Sequence, residues 1–130
     1  MARTLARDWL PEDVEQFLNE FKTLLRYHPL KVSWIGRHDR QAELADLGLT
    51  MNLAKDIIRD HLKPEHWQRG PEPDDGAPDT GTICIFRCPV PGHPDAYVKI
   101  GLRVVARGTG GLRGVIWSFK RWSTESGVGT

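Results

Sequence analysis

Several features are scarce in this chain of 130 residues, and each scarcity narrows the classes of protein to which it can belong. No apolar run approaches the roughly 20 residues that cross a bilayer, so the sequence predicts no membrane span. The N-terminal segment MARTLARDWLPEDVEQ lacks the continuous apolar core of a secretory signal, and we therefore expect a cytoplasmic protein. A net charge of +1 neither requires nor forbids a polyanionic partner, so the placement of the charges matters more than their sum.

Cysteine is also scarce, since Cys84 and Cys88 are the only two in the chain. Both fall in TICIFRCPV, which has the composition of a strand, and residues four apart on a strand are separated by about 13 Å. A disulfide needs Cα atoms within about 7 Å, so we expect two free thiols. His61 and His66 have no evident third ligand and no zinc-type spacing, so the sequence predicts neither a metal nor a cofactor.

Helical periodicity dominates the first half of the chain. In PEDVEQFLNEFKTLLRYH (11–28), apolar residues recur at helical spacing, and Pro29 ends the pattern. The sequence next predicts a short strand over 31–36, a helix over 41–47 that ends at Gly48, and a helix over MNLAKDIIRDHL that Thr50 caps.

The second half is predicted to form strands after a Pro-, Gly- and Asp-rich break over 63–81. Three strands are expected, over 82–88, 95–105 and 114–122, and their short connections favour an antiparallel meander. The predicted fold is thus α+β, with N-terminal helices packed on one face of a small, mainly antiparallel sheet that ends in a three-stranded meander. We expect one domain over 1–122, with an N-terminal arm over 1–10 and a flexible tail over 123–130.

Acidic residues are absent from 99–121, although this segment holds six basic ones: Lys99, Arg103, Arg107, Arg113, Lys120 and Arg121. A basic strand pair on a nearly neutral protein is a candidate footprint for phosphate groups. The alternative is a solvated sheet face on which Lys and Arg protect an edge from aggregation. These features alone do not decide between the two interpretations.

The alternation of AYVKIGLRVV (96–105) separates an apolar side from a side that carries Tyr97, Lys99 and Arg103. In GVIWSFKRW (114–122), we expect the side with Val115, Trp117 and Phe119 to pack on the helices. Ser118 and Lys120 then point the same way as Tyr97 and Lys99, and Arg87 of the first meander strand can join them.

A phenol, two lysines, a guanidinium and a tryptophan are the groups needed to cut RNA without a metal. The ribose 2′-OH must lose a proton, fixed cations must hold the phosphoryl charge, and the leaving 5′-oxygen must gain a proton. A tyrosine flanked by cations can act as a proton shuttle, and a base can stack on Tyr or Trp. His93, in the loop before Tyr97, is an alternative acid or base.

The order of these pieces resembles the MqsR-type toxins of bacterial toxin–antitoxin pairs, which belong to the RelE-like group of mRNA-cleaving endoribonucleases. The resemblance covers roughly residues 14–122. The segments that carry it are ELADLGLTMNLAKDIIRDHLKPEHW, then GTICIF, AYVKIGL and GVIWSFKRW. Its best anchors are LGL before the third helix, the YVKI strand and the terminal SFK. It implies a RelE-like fold.

The resemblance also implies site residues. The family's tyrosine in the Y-x-K-I strand falls on Tyr97, and its lysine in SFK falls on Lys120. A further family lysine falls near Gln68 or Arg69. A polar family residue in the first meander strand meets Ile85 or its neighbour Arg87 here, and both positions are departures from the pattern. The expected catalytic residues are therefore Tyr97, Lys120, Arg69 and Gln68, and the expected RNA-binding residues are Lys99, Arg87, Arg103, Arg121 and Trp122.

The function implied is that of the toxin component of a type II toxin–antitoxin system, a metal-independent endoribonuclease that cleaves mRNA by 2′-OH attack. The expected partners are the mRNA substrate and a cognate antitoxin with a helix-turn-helix DNA-binding region, while a homodimer is left open. One alternative is a non-catalytic RNA- or protein-binding module with the same fold. The departures from the family pattern at Gln68 and Ile85 favour this alternative. A metal-dependent hydrolase is a third interpretation.

Overall fold

The computed structural model describes residues 9–104 and 111–123. These residues form three α-helices and a five-stranded mixed sheet, and four of the five strands follow the helices in sequence. The expected arm and tail lie outside the described residues, apart from positions 9, 10 and 123, as do Val105 and Arg107. The helices are α1 (Pro11–Tyr27), α2 (Arg37–Asp46) and α3 (Met51–His61), and the strands are β1 (Val32–Trp34), β2 (Trp67–Asp74), β3 (Ala77–Val90), β4 (His93–Val104) and β5 (Leu112–Arg121).

The sequence signals at the helix ends are confirmed. Pro11 opens α1, and the backbone N–H of Leu10 donates to Asp13 Oδ2 at 3.0 Å. Gly48 follows α2 with a φ of 74°, the left-handed conformation that glycine adopts without a Cβ clash. Thr50 Oγ1 accepts a hydrogen bond from the backbone N–H of Leu53 at 3.1 Å and so caps α3. Helix α2 begins four residues earlier than predicted, at Arg37.

The strands follow the order β1-β5-β4-β3-β2, so β4 is the central strand and β1 and β2 are the edges. The predicted meander of β3, β4 and β5 is confirmed, because each pair of neighbours runs antiparallel. The short strand β1 joins the edge and pairs parallel with β5, with Ser33 opposite Val115. The sheet is therefore mixed, with one parallel pair.

The predicted break over 63–81 is wrong, because this segment contains β2 and the beginning of β3. Strand β2 includes Gly70, Pro71 and Pro73, which the sequence analysis took as signals of a loop. Proline is tolerated there because β2 is an edge strand, whose outer side has no ladder of hydrogen bonds to lose. Its pairing with β3 shifts register three times, which is why regular alternation is missing from its sequence.

The helices pack on one face of the sheet, as expected. Phe17, Leu18 and Phe21 of α1 form a single buried cluster with apolar residues of α2, α3 and the strands. On the sheet side, this cluster includes Val98 and Ile100, both with no exposed surface. The rings of Phe17 and Phe86 lie 6.5 Å apart at 23°. We call this the helix-covered face of the sheet.

Candidate nucleic-acid interface

The opposite side of the sheet, which we call the open face, collects the polar residues predicted from the alternation. Tyr97 of β4 lies between Lys120 of β5 and Arg87 of β3, and Lys99 lies opposite Ser118. Directly opposed residues of antiparallel strands point to the same side of a sheet. These five residues therefore share one face, as the sequence analysis predicted.

The interpretation of β5 was wrong at Val115 and Trp117. The register of β4 and β5 shifts so that Lys99 faces Ser118 while Ile100 faces Ile116, and Trp117 is the extra residue of a bulge. A bulge resets the alternation. Ile116 and Phe119 therefore both belong to the buried cluster on the helix-covered face, whereas Val115 and Trp117 do not. Strict alternation cannot reveal such an insertion.

Cationic side chains on the open face lie against aromatic rings. Lys120 Nζ is 5.3 Å from the centre of the Tyr97 ring, and Lys99 Nζ is 5.5 Å from the Trp117 ring. The guanidinium carbon of Arg87 is 5.0 Å from the Trp122 ring. Such contacts hold a cation in place without neutralising its charge. The Tyr97 and Trp122 rings are themselves 5.9 Å apart at 36°.

The cations of this face differ in how free they are to meet a ligand. Lys99 and Lys120 are partly buried, and no carboxylate of the described residues lies within ion-pair distance of either. Arg87 donates from Nε to Asp95 Oδ2 at 2.9 Å, with 48% of its side chain exposed. Tyr97 is only 2% exposed, so it forms the floor beneath Lys120 and Trp122.

Arg103 lies on the open face, but its guanidinium is already occupied. It donates from Nε and Nη2 to the two carboxylate oxygens of Asp74, at 2.7 and 3.0 Å. Asp74 has no exposed surface and also accepts from the Gly76 N–H at 2.9 Å. Burial alone would raise the pKa of Asp74, but the hydrogen bonds from Arg103 and Gly76 outweigh it and hold that pKa below its usual value. Arg103 therefore has a structural partner in Asp74, and its expected role in gripping RNA stays a prediction.

Arg121 does not belong to the open face. It lies opposite Ala96, which is part of the helix-packed cluster, and its Nε donates to Asp46 Oδ2 at 3.3 Å at the end of α2. Alternation after Lys120 places Arg121 on the other side of the strand, so it does not share a face with Tyr97 and Lys120, and its expected role in binding RNA stays a prediction. Trp122 does return to the open face. Its backbone N–H donates to the backbone carbonyl of Asp95 at 2.9 Å, and its ring lies against Tyr97.

The two expected catalytic residues from β2 lie at the border of this surface. Arg69 pairs with Ile85, which in turn pairs with Lys99, so Arg69 shares the open face. Its Nε is bound to Glu72 Oε2 at 2.8 Å, and its side chain is about one-third exposed. Gln68 is exposed at a register shift between Trp67 and Arg69. Ile85 is 2% exposed and offers no polar group at the departure from the family pattern.

Three residues that position the site escaped the sequence analysis: Trp117 under Lys99, Asp74 under Arg103, and Asp95 beside Arg87 and Trp122. Asp74 contacts Arg103, which is 29 residues away along the chain. The position of Trp117 depends on the bulge in β5. Only Asp95 had a local signal, since it precedes the AYVKI strand by one position and is the acid nearest to Tyr97 in sequence.

The sequence analysis also named the two cysteines and His93, and both cysteines belong to the buried cluster under the helices. Cys84 and Cys88 are free and buried, as predicted, and burial is the main reason that the pKa of each thiol is raised. His93 is exposed, and its ring lies near Gly48. Over 9–104 and 111–123, no group of three or more His, Cys, Asp and Glu residues is arranged to hold a metal ion.

Comparison with models of known protein families, with curated proteins and with solved structures finds no match to this chain. The α+β fold is therefore described from the arrangement of its helices and strands, and the open face from the positions of its side chains. Among the described residues, no helix has the length and apolar character needed to cross a membrane.

Proposed function

We propose that the open face binds RNA and that the chain is a metal-independent endoribonuclease, the toxin of a type II toxin–antitoxin pair. One observation carries the proposal: Lys120, Lys99 and Arg87 surround Tyr97 on a single face, and the two lysines have no carboxylate partner among the described residues. A phosphate backbone needs such fixed, unneutralised cations. The resemblance to MqsR-type toxins supports the same conclusion through Tyr97 and Lys120.

In the proposed reaction, a ribose 2′-oxygen loses its proton and attacks the adjacent phosphorus. The bond from phosphorus to the 5′-oxygen then breaks, and that oxygen takes up a proton, which leaves a 2′,3′-cyclic phosphate. Lys120 and Lys99 stabilise the charge on the phosphoryl oxygens, Arg87 holds the neighbouring backbone, and Trp122 stacks with a base. Tyr97 assists proton transfer once Lys120 or Trp122 moves aside, because its ring lies beneath both.

The proposed partner is a cognate antitoxin protein that carries a helix-turn-helix DNA-binding region. Its existence is tested by inspecting the adjacent reading frame for a small DNA-binding protein and by co-expressing the two. Co-expression should relieve any growth inhibition caused by this chain alone.

A second candidate function is a non-catalytic RNA-binding module, which the burial of Tyr97 favours. A phenol with 2% exposure is a poor proton acceptor for a bound substrate unless the site rearranges. This alternative gives RNA binding that weakens steeply with salt, without any cleavage.

The experiment compares Lys120→Ala with Arg121→Ala, two adjacent cations that the structure assigns to opposite faces. We expect Lys120→Ala to reduce RNA cleavage in the presence of EDTA about a hundredfold, the usual loss for one charge-stabilising group. Arg121→Ala should cleave RNA and inhibit growth as the unchanged protein does.

Three outcomes distinguish the readings. Cleavage that is lost only in Lys120→Ala supports the proposal, and binding without cleavage by the unchanged protein supports the second candidate. Full activity in Lys120→Ala removes the open face from the mechanism. Urea unfolding of both variants provides the control, because it shows whether a loss of activity comes from a loss of stability.

A further inference from the structure

A second group of basic side chains surrounds a cavity outside the open face. The cavity, of about 310 Å³, lies between the end of α3, the short 3₁₀ helix Pro64–His66 and the turn that joins β3 to β4. Lys63, His61 and His66 line it, together with Asp95 and the apolar residues Pro89, Val90 and Pro91.

The imidazole of His66 is fixed in one tautomer. Its Nδ1 accepts a hydrogen bond from the backbone N–H of Lys63 at 3.0 Å, so the ring proton lies on Nε2. Burial is the largest cause that lowers the pKa of His66; Glu65 and Asp95 oppose it, whereas Lys63 and Lys22 add to it. A neutral His66 with a free Nε2–H is a hydrogen-bond donor at neutral pH.

The charges around this cavity favour an anion. Lys63 lines it and Lys22 lies close behind, whereas Glu65 belongs to a separate cavity beside Trp9 and Val14. Asp60 is near Lys22 and His61, but Arg59 donates to both of its carboxylate oxygens at 2.8 Å. Among the residues that the structure describes, the carboxylate in the lining is that of Asp95, which Arg87 already holds at 2.9 Å. The lining therefore offers an ammonium and imidazole donors against a carboxylate that is already paired.

Asp95 connects this cavity to the open face, since the same carboxylate lines the cavity and holds Arg87 over Trp122. We propose that the cavity is a second phosphate site, in which Lys63, His66 and His61 bind a backbone phosphate of RNA that leaves the open face past Arg87. The identity of the ligand as RNA rests on the proposed function, whereas the affinity for phosphate does not. The site extends the contact with substrate beyond the bond that is cleaved.

The first arm of the test titrates inorganic phosphate into the full chain and follows the imidazole resonances of His61 and His66 by NMR. Chloride at matched ionic strength is the control anion. Phosphate should shift both rings saturably and raise the pKa of His66, because an added anion stabilises the imidazolium. Lys63→Gln should weaken this binding roughly threefold to tenfold, the effect of one charge-assisted contact at a partly exposed site.

Lys31→Gln is the matched control variant, because Lys31 ends the other 3₁₀ helix, Pro29–Lys31, which leads into the opposite edge of the sheet. It should bind phosphate as the unchanged protein does. Equal shifts with chloride and phosphate, or equal losses in the two variants, would overturn the site.

The second arm measures binding of a dinucleotide and of a long single-stranded oligoribonucleotide of the same composition. Lys63→Gln should weaken binding of the long RNA and leave that of the dinucleotide unchanged. If phosphate shifts the imidazoles but Lys63→Gln binds both RNAs normally, the assignment to RNA is overturned and the site serves a free phosphate compound. If the unchanged protein binds no RNA at all, the proposed function fails, while the phosphate arm still decides whether the cavity binds an anion.

Discussion

At one end of the open face, Arg103 donates to both oxygens of a carboxylate that has no exposed surface. At the other end, Lys120 lies over the Tyr97 ring with no carboxylate of the described residues within ion-pair distance. Both cations point to the same side of the sheet. The first is neutralised by a structural partner, and the second keeps its charge available, because a ring quadrupole attracts a cation without cancelling it.

The difference teaches that a basic stripe in a sequence combines two kinds of residue. Arg suits the first kind, since its planar fork matches both carboxylate oxygens of Asp74. Lys suits the second kind, since its single charged group lies over a ring and can still turn towards a ligand. We call the part of the open face with Arg103 and Asp74 the arginine end, and the part with Lys99 and Lys120 the lysine end. The proposed function uses only the lysine end, and the comparison can be tested by substituting residues of each end separately.

The largest effect is expected at the arginine end, from Asp74→Ala. Removing this carboxylate leaves Arg103 without its partner in a mostly buried site, so we expect the free energy of unfolding to fall by about 3 kcal/mol. Urea denaturation measures the loss. Asp46→Ala, which breaks the exposed pair with Arg121, is the control and should change stability by no more than about 0.5 kcal/mol. Equal effects of the two substitutions would contradict the distinction between the pairs.

The second effect is expected at the lysine end, from Lys99→Ala. We expect RNA affinity to fall about tenfold at low salt, with a shallower dependence on salt, because one phosphate contact is lost. Filter binding across a salt series measures both quantities. Unfolding free energy should be nearly unchanged, and Lys31→Ala serves as the control for a lost surface charge. If Lys99→Ala lowered the free energy of unfolding but left RNA affinity unchanged, the distinction between the two ends would be contradicted.

A smaller effect is expected from acid. Because the folded-state pKa of Asp74 lies below its unfolded value of about 3.9, its ionised form stabilises the fold above that pH. That contribution is lost as the pH falls through the folded-state pKa. The stability difference between the unchanged protein and Asp74→Asn should therefore narrow in acid, as urea denaturation at a series of pH values would reveal. A difference that stays constant down to the lowest pH would show that the charge of Asp74 is not what Arg103 recognises.

Local signals in the sequence predicted the helices and the meander well. Thr50 and Gly48 lie at the helix ends where their chemistry predicts them, and the alternation over 96–104 correctly separated the two sides of β4. Such signals act within a few residues of the chain, so they can be read without knowing the fold.

Features that depend on distant pairing could not be predicted. Strand β2 was missed because Pro71 and Pro73 are tolerated only at an edge, and the sequence does not say which strand is an edge. The role of Arg103 depends on Asp74, 29 residues earlier. The bulge at Trp117 reversed the assignment of Val115, while Tyr97 and Lys120 were placed together correctly because they lie on one side of the bulge.

The order of the sheet has a consequence for biosynthesis. Strand β1, near the beginning of the chain, pairs with β5, which follows the other described strands in sequence. While the ribosome is still translating the intervening segments, the nascent polypeptide has α1 and β1 outside the exit tunnel but not the strand that completes their core. The hairpin of β3 and β4 can form earlier, since its contacts are local. A chain interrupted before residue 112 would therefore lack the strand that joins β1 to β4 and would offer apolar surface to chaperones and proteases.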